Sequence, residues 1–208
     1  MKVGYLHVKS LEDYLENQIQ AILKNPYSLK TGKPFTNIKL RPREVLGAFL
    51  ICAVIRSISE QNWTIARDPM EGDGVVLCMD KSRFGDGAFL EQVYVPRLSQ
   101  DLPVSMEEIV KRIEIEIKKK HRNGKPYYEN KHLVIFLDIE GQLDYQKVKK
   151  IVDDLEEGFD SYWLFASWDK QYSYLVFFLK ANRDQPALYN VKINEDFKGW
   201  SVERLGRL

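Results

Sequence analysis

Hydrophobic positions along the chain recur with two spacings, which together predict a mixture of helices and strands. Apolar residues three or four positions apart are typical of helices that bury one face, and they occur at residues 10–23, 42–60, 105–121 and 144–155. Apolar runs of strand character lie at residues 64–69, 72–79, 88–95, 132–139, 162–168, 172–181 and 188–193. We therefore expect a mixed α/β (α+β) fold.

The strand segments also indicate how the sheet is arranged. Residues 132–139 are almost continuously apolar, as expected for a strand covered on both faces. A short polar turn separates residues 162–168 from 172–181, which favours an antiparallel hairpin. We expect a mixed central sheet flanked by helices, with 188–193 at its edge and a loosely held tail from Asn194.

Local signals predict where three helices begin. Ser10 is a candidate N-cap, and Pro42 suits the first turn of a helix. Ser105 and Glu108 form the S-x-x-E pattern of a capping box. The lysines at 118–120 complement the helix dipole at the end of that helix, which explains them without a functional role.

Length and composition favour a globular protein of one domain. The 208 residues are 44% hydrophobic and 29% charged, and no stretch approaches the roughly 20 apolar residues that cross a membrane. The N-terminus turns polar too early for a signal peptide, so we expect a cytoplasmic protein. We divide it into a helix and basic loop at 1–41, packed as an appendage, and an α/β domain at 42–208.

Charge and motifs limit the kinds of functional site that this chain can contain. The 31 basic residues nearly match the 30 acidic ones, so a nucleic-acid surface would have to be a local patch. The basic stretch before Glu44 is interpreted as a solvated connector rather than a nucleic-acid arm. Cys52 and Cys78 lie in apolar runs without CxxC spacing, and the histidines show no metal spacing. Serine hydrolase, P-loop and Rossmann motifs are absent from the sequence.

Two carboxylates stand on consecutive predicted strands. Asp73 leads the first and Glu91 lies inside the second, and paired strands are only about 5 Å apart. Carboxylates that converge in this way are hard oxygen ligands for Mg²⁺. Asp73 is also explained as a turn residue between two glycines. Asp68 and Glu71 are second choices in the neighbouring loop.

The order of elements, with GDGVV and LEQVYV at these positions, resembles the PD-(D/E)XK superfamily of restriction-endonuclease-like proteins over roughly residues 42–180. The resemblance implies a restriction-endonuclease-like core and a metal-dependent endonuclease that hydrolyses phosphodiester bonds in DNA. Asp73 matches the first metal-binding aspartate, Glu91 the acid of the second motif, and Glu44 the extra helical glutamate of many members. The implied cofactor is Mg²⁺ or Mn²⁺.

The sequence departs from this family at Val93, where the family usually has a lysine that helps to activate water. Gln92 could replace it only if a bulge turned its side chain to the other face. Lys111 or Arg112 on the following helix could also reach back.

Because position 93 lacks the lysine that the family usually has, a second hypothesis stays open. The chain could be a catalytically inactive member of the same fold that serves as a binding or assembly subunit. Its partner, or a second copy in a homodimer, would then contact the aromatic hairpin at 162–178. An unrelated α/β domain is the third possibility.

Overall fold

The chain folds into one mixed sheet with helices on both faces. The computed structural model describes residues 9–67, 72–83, 85–96, 104–138, 142–155, 157–167, 172–179 and 186–207. Within these ranges the α-helices are α1 (Leu11–Tyr14), α2 (Gln20–Lys24), α3 (Ser28–Thr31), α4 (Pro42–Ser59), α5 (Met106–His121), α6 (Lys125–Tyr128) and α7 (Tyr145–Asp153), with a π-helical turn at Leu15–Ile19. The strands are β1 (Trp63–Ala66), β2 (Val75–Cys78), β3 (Gly87–Val95), β4 (Lys131–Leu137), β5 (Ser161–Ser167), β6 (Ser173–Leu179), β7 (Ala187–Ile193) and β8 (Trp200–Arg207).

The eight strands lie in the sheet in the order of the sequence. Strands β1, β2 and β3 form an antiparallel meander, and β5 to β8 are also antiparallel. Strands β3, β4 and β5 are parallel, because α5 and α6 connect the first pair and α7 connects the second. The expected mixed sheet and the hairpin of β5 and β6 are confirmed.

Each face of the sheet packs against its own helices. Helix α4 is apolar on almost every side, and its residues from Val45 to Val54 are all buried. The other face is covered by α5 and α7, through Ile113 and Val148 among others. The helical segment at 11–24 contributes to the same core as α4, so residues before Pro42 are part of the packed body.

Helix starts follow the predicted capping signals. The Ser10 hydroxyl accepts a hydrogen bond from the Asp13 N–H at 3.0 Å, and the Ser105 hydroxyl accepts one from the Glu108 N–H at 3.2 Å. Cys52 and Cys78 are buried free thiols, as expected for small apolar residues. Among the described helices, none combines the length and apolar character needed to span a bilayer.

The prediction of a loosely held C-terminal tail is wrong. The Asn194 N–H donates to the Gly199 carbonyl at 2.9 Å, and β8 then pairs along β7, so β7 is not an edge strand. Trp200 packs edge-to-face on Phe49 with ring centroids 5.3 Å apart. The tail looked polar because β8 presents mainly polar residues to solvent, while Trp200 and Val202 pack against the core.

The aromatic residues of the predicted hairpin belong mainly to the core. Those that are buried are Tyr162, Trp163, Phe165, Tyr174 and Phe177, while Tyr172 and Phe178 are half-buried. Trp168 lies outside the described residues. This placement matches the packing role of aromatic side chains rather than an exposed patch.

Candidate functional site

Asp73 and Glu91 converge on one lysine. Antiparallel pairing places Val75 opposite Phe89, so Asp73, just before β2, lies beside the middle of β3. The Asp73 Oδ2 atom accepts the Gln92 backbone N–H at 2.6 Å. The Lys120 Nζ atom lies 3.1 Å from Glu91 Oε2 and 3.9 Å from Asp73 Oδ2. An ammonium group therefore stands between the two carboxylates.

Lys120 was not among the site residues predicted from the sequence, although its spacing in α5 indicates that it points inward. In α5 the buried residues Ile113 and Ile117 are four positions apart, and Lys120 follows three positions later. This spacing continues the inward face of the helix. Lys118 and Lys119, in contrast, are exposed and pair with glutamates of their own helix.

Glu91 is held by three groups from three different elements. Lys131, at the start of β4, lies 2.7 Å from Glu91 Oε1. The hydroxyl of Tyr127 on α6 donates to Glu91 Oε2 and accepts from Lys120 Nζ at 2.7 Å. We call Asp73, Glu91, Lys120, Tyr127 and Lys131 the acid–lysine cluster.

The two acids of the cluster have opposite pKa shifts. Burial alone would raise the pKa of Glu91, but hydrogen bonds from Lys131 and Tyr127 and the charge of Lys120 outweigh it, so that pKa is lowered. Burial raises the pKa of Asp73, and the bond from Gln92 and the charge of Lys120 do not fully compensate. The surroundings favour a charged Glu91 and disfavour a charged Asp73.

The electrostatic partner of both acids is Lys120. Burial acts to lower the pKa of Lys120, but the Tyr127 hydroxyl and the charges of Glu91 and Asp73 raise it overall. The ammonium is therefore held in its protonated form next to the two carboxylates.

Glu44 lies near the cluster but has a local role of its own. Its Oε2 atom accepts the Arg41 N–H at 2.7 Å in the capping box of α4. Burial, with a smaller effect from Asp73, raises the pKa of Glu44. Helix capping therefore accounts for this glutamate, which interacts with Asp73 through its charge.

Gln92 contributes to the site through its backbone. The register of β3 against β4 is continuous from Phe89 to Val95, and the Gln92 side chain points towards α4, where its amide donates to the Glu44 carbonyl at 3.0 Å. The bulge that would turn this side chain to the other face is not present in that register. Val93 is buried in the core beneath α5.

The other candidates are not brought to the cluster by the described contacts. Lys111 is exposed and lies nine residues before Lys120, about 14 Å along the helix axis. Arg112 pairs with Glu108 at 2.8 Å. Asp68 and Glu71 lie outside the described residues.

The cluster offers two carboxylates to a cation. Among the described residues, no group of three or more His, Cys, Asp or Glu side chains is arranged to hold a metal ion. Mg²⁺ is commonly bound by one or two carboxylates, with water and substrate phosphate completing its shell. Asp73 and Glu91 provide two such carboxylates, and the ammonium of Lys120 lies between them. Glu44 would act on the ion through its charge alone.

A cavity of about 760 Å³ lies on the opposite face of the sheet, beside the second half of α4. Its walls are mainly apolar, and its polar groups include Ser161, whose hydroxyl lies 2.6 Å from His132 Nδ1 and accepts the Trp163 indole N–H at 3.0 Å. The described residues that line this cavity include no lysine and neither of the two acids. We therefore place the candidate site at the acid–lysine cluster.

Comparison with models of known protein families gives no match, and no curated protein matches the sequence.

Proposed function

We propose that the protein is a metal-dependent nuclease of the PD-(D/E)XK type that hydrolyses phosphodiester bonds in DNA. One observation carries this proposal: Lys120 Nζ lies 3.1 Å from Glu91 and 3.9 Å from Asp73. The family pattern needs a lysine beside its two acids, and the sequence lacks one at position 93. Lys120, from α5, lies beside both acids, and this supports the proposal.

The order of elements supports the proposal. A buried helix, α4, precedes the antiparallel meander of β1, β2 and β3, which carries Asp73 and then Glu91. The lysine-rich α5 then leads to the apolar strand β4. This is the sequence of elements that a restriction-endonuclease-like core implies.

Each residue of the cluster has a role in such a reaction. Asp73 and Glu91 would hold Mg²⁺ or Mn²⁺, which when bound polarises a phosphate and lowers the pKa of its water. The ammonium of Lys120 can orient the attacking water or donate to a phosphate oxygen. Tyr127 positions Lys120 through its 2.7 Å hydrogen bond, and Lys131 offsets the charge of Glu91.

The test is cleavage of single- and double-stranded DNA in Mg²⁺ and in Mn²⁺. We expect cutting by the parent protein and its loss in the Asp73→Ala, Glu91→Ala double variant. Lys120→Met should reduce the rate by about 100-fold or more, the range of a lost proton-transfer or orienting group. Lys118→Met, on the exposed side of the same helix, should cut like the parent. Absence of cutting, or equal cutting by all variants, would refute the proposal.

The second candidate function is a catalytically inactive binding subunit of the same fold. It is favoured by the contacts of Glu91, since both of its oxygens already bind groups of the protein. A cluster satisfied in this way can serve as a structural ion-pair network. Most aromatic side chains of the described hairpin are buried in the core, and the contact of a partner with this hairpin stays a prediction. A folded parent protein that binds DNA but leaves it uncut would favour this candidate.

A further inference from the structure

A segment of one charge sign adjoins the acid–lysine cluster. Residues 30–43, here called the basic segment, contain five basic side chains and no acidic one. They are Lys30, Lys33, Lys39, Arg41 and Arg43. In a chain whose net charge is only +1, this is a local excess of positive charge.

The basic segment packs directly on the turn that carries Asp73. A Cβ atom added to Gly74 would lie 3.4 Å from Leu40 Cδ1, so the Leu40 side chain lies next to the residue after Asp73. At the end of the segment, the Arg41 N–H binds Glu44. The Arg43 guanidinium lies 5.6 Å from the centre of the Tyr94 ring on β3. The end of the segment therefore adjoins the turn that carries Asp73.

The segment is ordered by its own contacts, which an unstructured connector would lack. Ile38 and Leu40 are buried in the core. The Phe35 N–H donates to the Leu40 carbonyl at 2.9 Å, and the Lys39 N–H donates to the Phe35 carbonyl at 2.7 Å. Lys39 has a φ of 58°, in the left-handed region used by tight turns. A backbone held in this way presents its charges in a fixed place.

Two exposed lysines of the basic segment have no counter-charge among the described residues. Lys30 pairs with Asp138 at 2.7 Å, and Arg41 lies 4.0 Å from Glu44. Within the described part of the chain, Lys33 and Lys39 form no ion pair, although both are exposed. Exposed ammonium groups that are not neutralised by a carboxylate are suited to binding phosphate oxygens.

We propose that the basic segment binds the phosphodiester backbone of a nucleic acid and leads the strand to the acid–lysine cluster, with Lys33 and Lys39 as its principal contacts. The inference rests on the proposed function, since it assigns a role to the surface beside that site. The proposal goes beyond the interpretation of this stretch as a solvated connector, because the segment has buried residues and internal hydrogen bonds.

The test is fluorescence anisotropy with a labelled duplex and a labelled single strand of the same DNA sequence, in EDTA, over a series of salt concentrations. The variant is Lys33→Gln, Lys39→Gln, which keeps two long polar side chains. The matched control is Lys150→Gln, Lys192→Gln, which removes two exposed lysines, on α7 and β7, that likewise form no ion pair among the described residues.

We expect the basic-segment variant to bind more weakly and to lower the slope of log K against log salt. Two lost phosphate contacts correspond to a change of about 1.8 for duplex or about 1.4 for single strands. The control should keep the parent's affinity and slope. The relative effect on the two probes identifies which strand form lies on the segment. No binding by the parent, an unchanged slope in the variant, or an equal change in the control would overturn the inference.

The binding experiment and the cleavage experiment can fail independently of each other. A parent protein that binds with the expected dependence but cuts neither DNA form would leave the binding surface standing and remove the nuclease. A parent protein that cuts DNA, together with a variant that binds DNA as the parent does, would support the nuclease and remove the binding surface.

Discussion

Asp73 and Glu91 are chemically similar but are expected to respond in opposite ways to neutralisation. A lowered pKa means that the fold stabilises the charged form of Glu91, and a raised pKa means that it destabilises the charged form of Asp73. In EDTA at neutral pH, Glu91→Gln should therefore lower the free energy of unfolding by about 1–3 kcal/mol. Asp73→Asn should leave it unchanged or raise it.

Denaturant unfolding measures both values, and the two variants control for each other because each exchanges one carboxylate for an amide. Equal losses from both would contradict the assignment of Glu91 as the anchor of the two lysines. A carboxylate whose charged form is disfavoured by burial, and which lies close to a lysine, is a pattern found at functional sites.

His121 provides a pH-dependent contribution to stability. Its ring stacks on Tyr128 at 4.7 Å, lies 3.4 Å from the Tyr162 hydroxyl and meets Phe159 edge-on, and burial lowers its pKa below 6.5. The folded state then binds fewer protons than the unfolded state, so stability falls as the pH drops through 6.5 and levels off below the folded-state pKa. His121→Gln should flatten the stability profile between about pH 7.5 and about pH 5.5. An unchanged profile in urea unfolding would show that His121 does not contribute.

At the scale of elements, periodicity could predict most of the helices and strands. Helices α4, α5 and α7 and strands β1 to β7 follow from apolar spacing. Only part of the candidate site could be predicted from the sequence. Glu91 stands out because its charge interrupts an apolar strand, and Asp73 because it directly precedes the neighbouring strand. Lys120, in contrast, lies in a run of three lysines that the helix dipole already explains. Which of those lysines points inward depends on how α5 packs on the sheet. In the sequence, only the three-residue spacing between Ile117 and Lys120 indicates that Lys120 is the one.

Strand β8 should contribute measurably to stability although its sequence is mainly polar. Trp200 packs on Phe49, and the Arg56 guanidinium lies 5.7 Å from the centre of its ring. Trp200→Ala should lower the free energy of unfolding by about 2 kcal/mol, as expected for a large side chain that is half-buried. Leu205→Ala, on the same strand but exposed, should change it by less than about 0.5 kcal/mol. Similar losses in thermal or urea unfolding would mean that the β8 side chains do not add to the core.

At the scale of the whole molecule, the sheet separates two hydrophobic cores that pack against different elements. The core under α4 extends to the N-terminal helices and β8, and the core under α5 and α7 borders the acid–lysine cluster. The number of layers could be predicted from continuously apolar strands such as β4. The contribution of residues before Pro42 could not, because a helix with one apolar face does not specify which surface it covers.

Val93 and Lys120 differ in what the fold asks of each position. The Val93 side chain packs beneath α5 with other aliphatic residues, so exchange for another apolar residue of similar volume should be tolerated there. Lys120 lies at the end of a helix and reaches both Glu91 and Asp73, so its position depends on a long, positively charged side chain. One position is constrained by volume and the other by charge and reach.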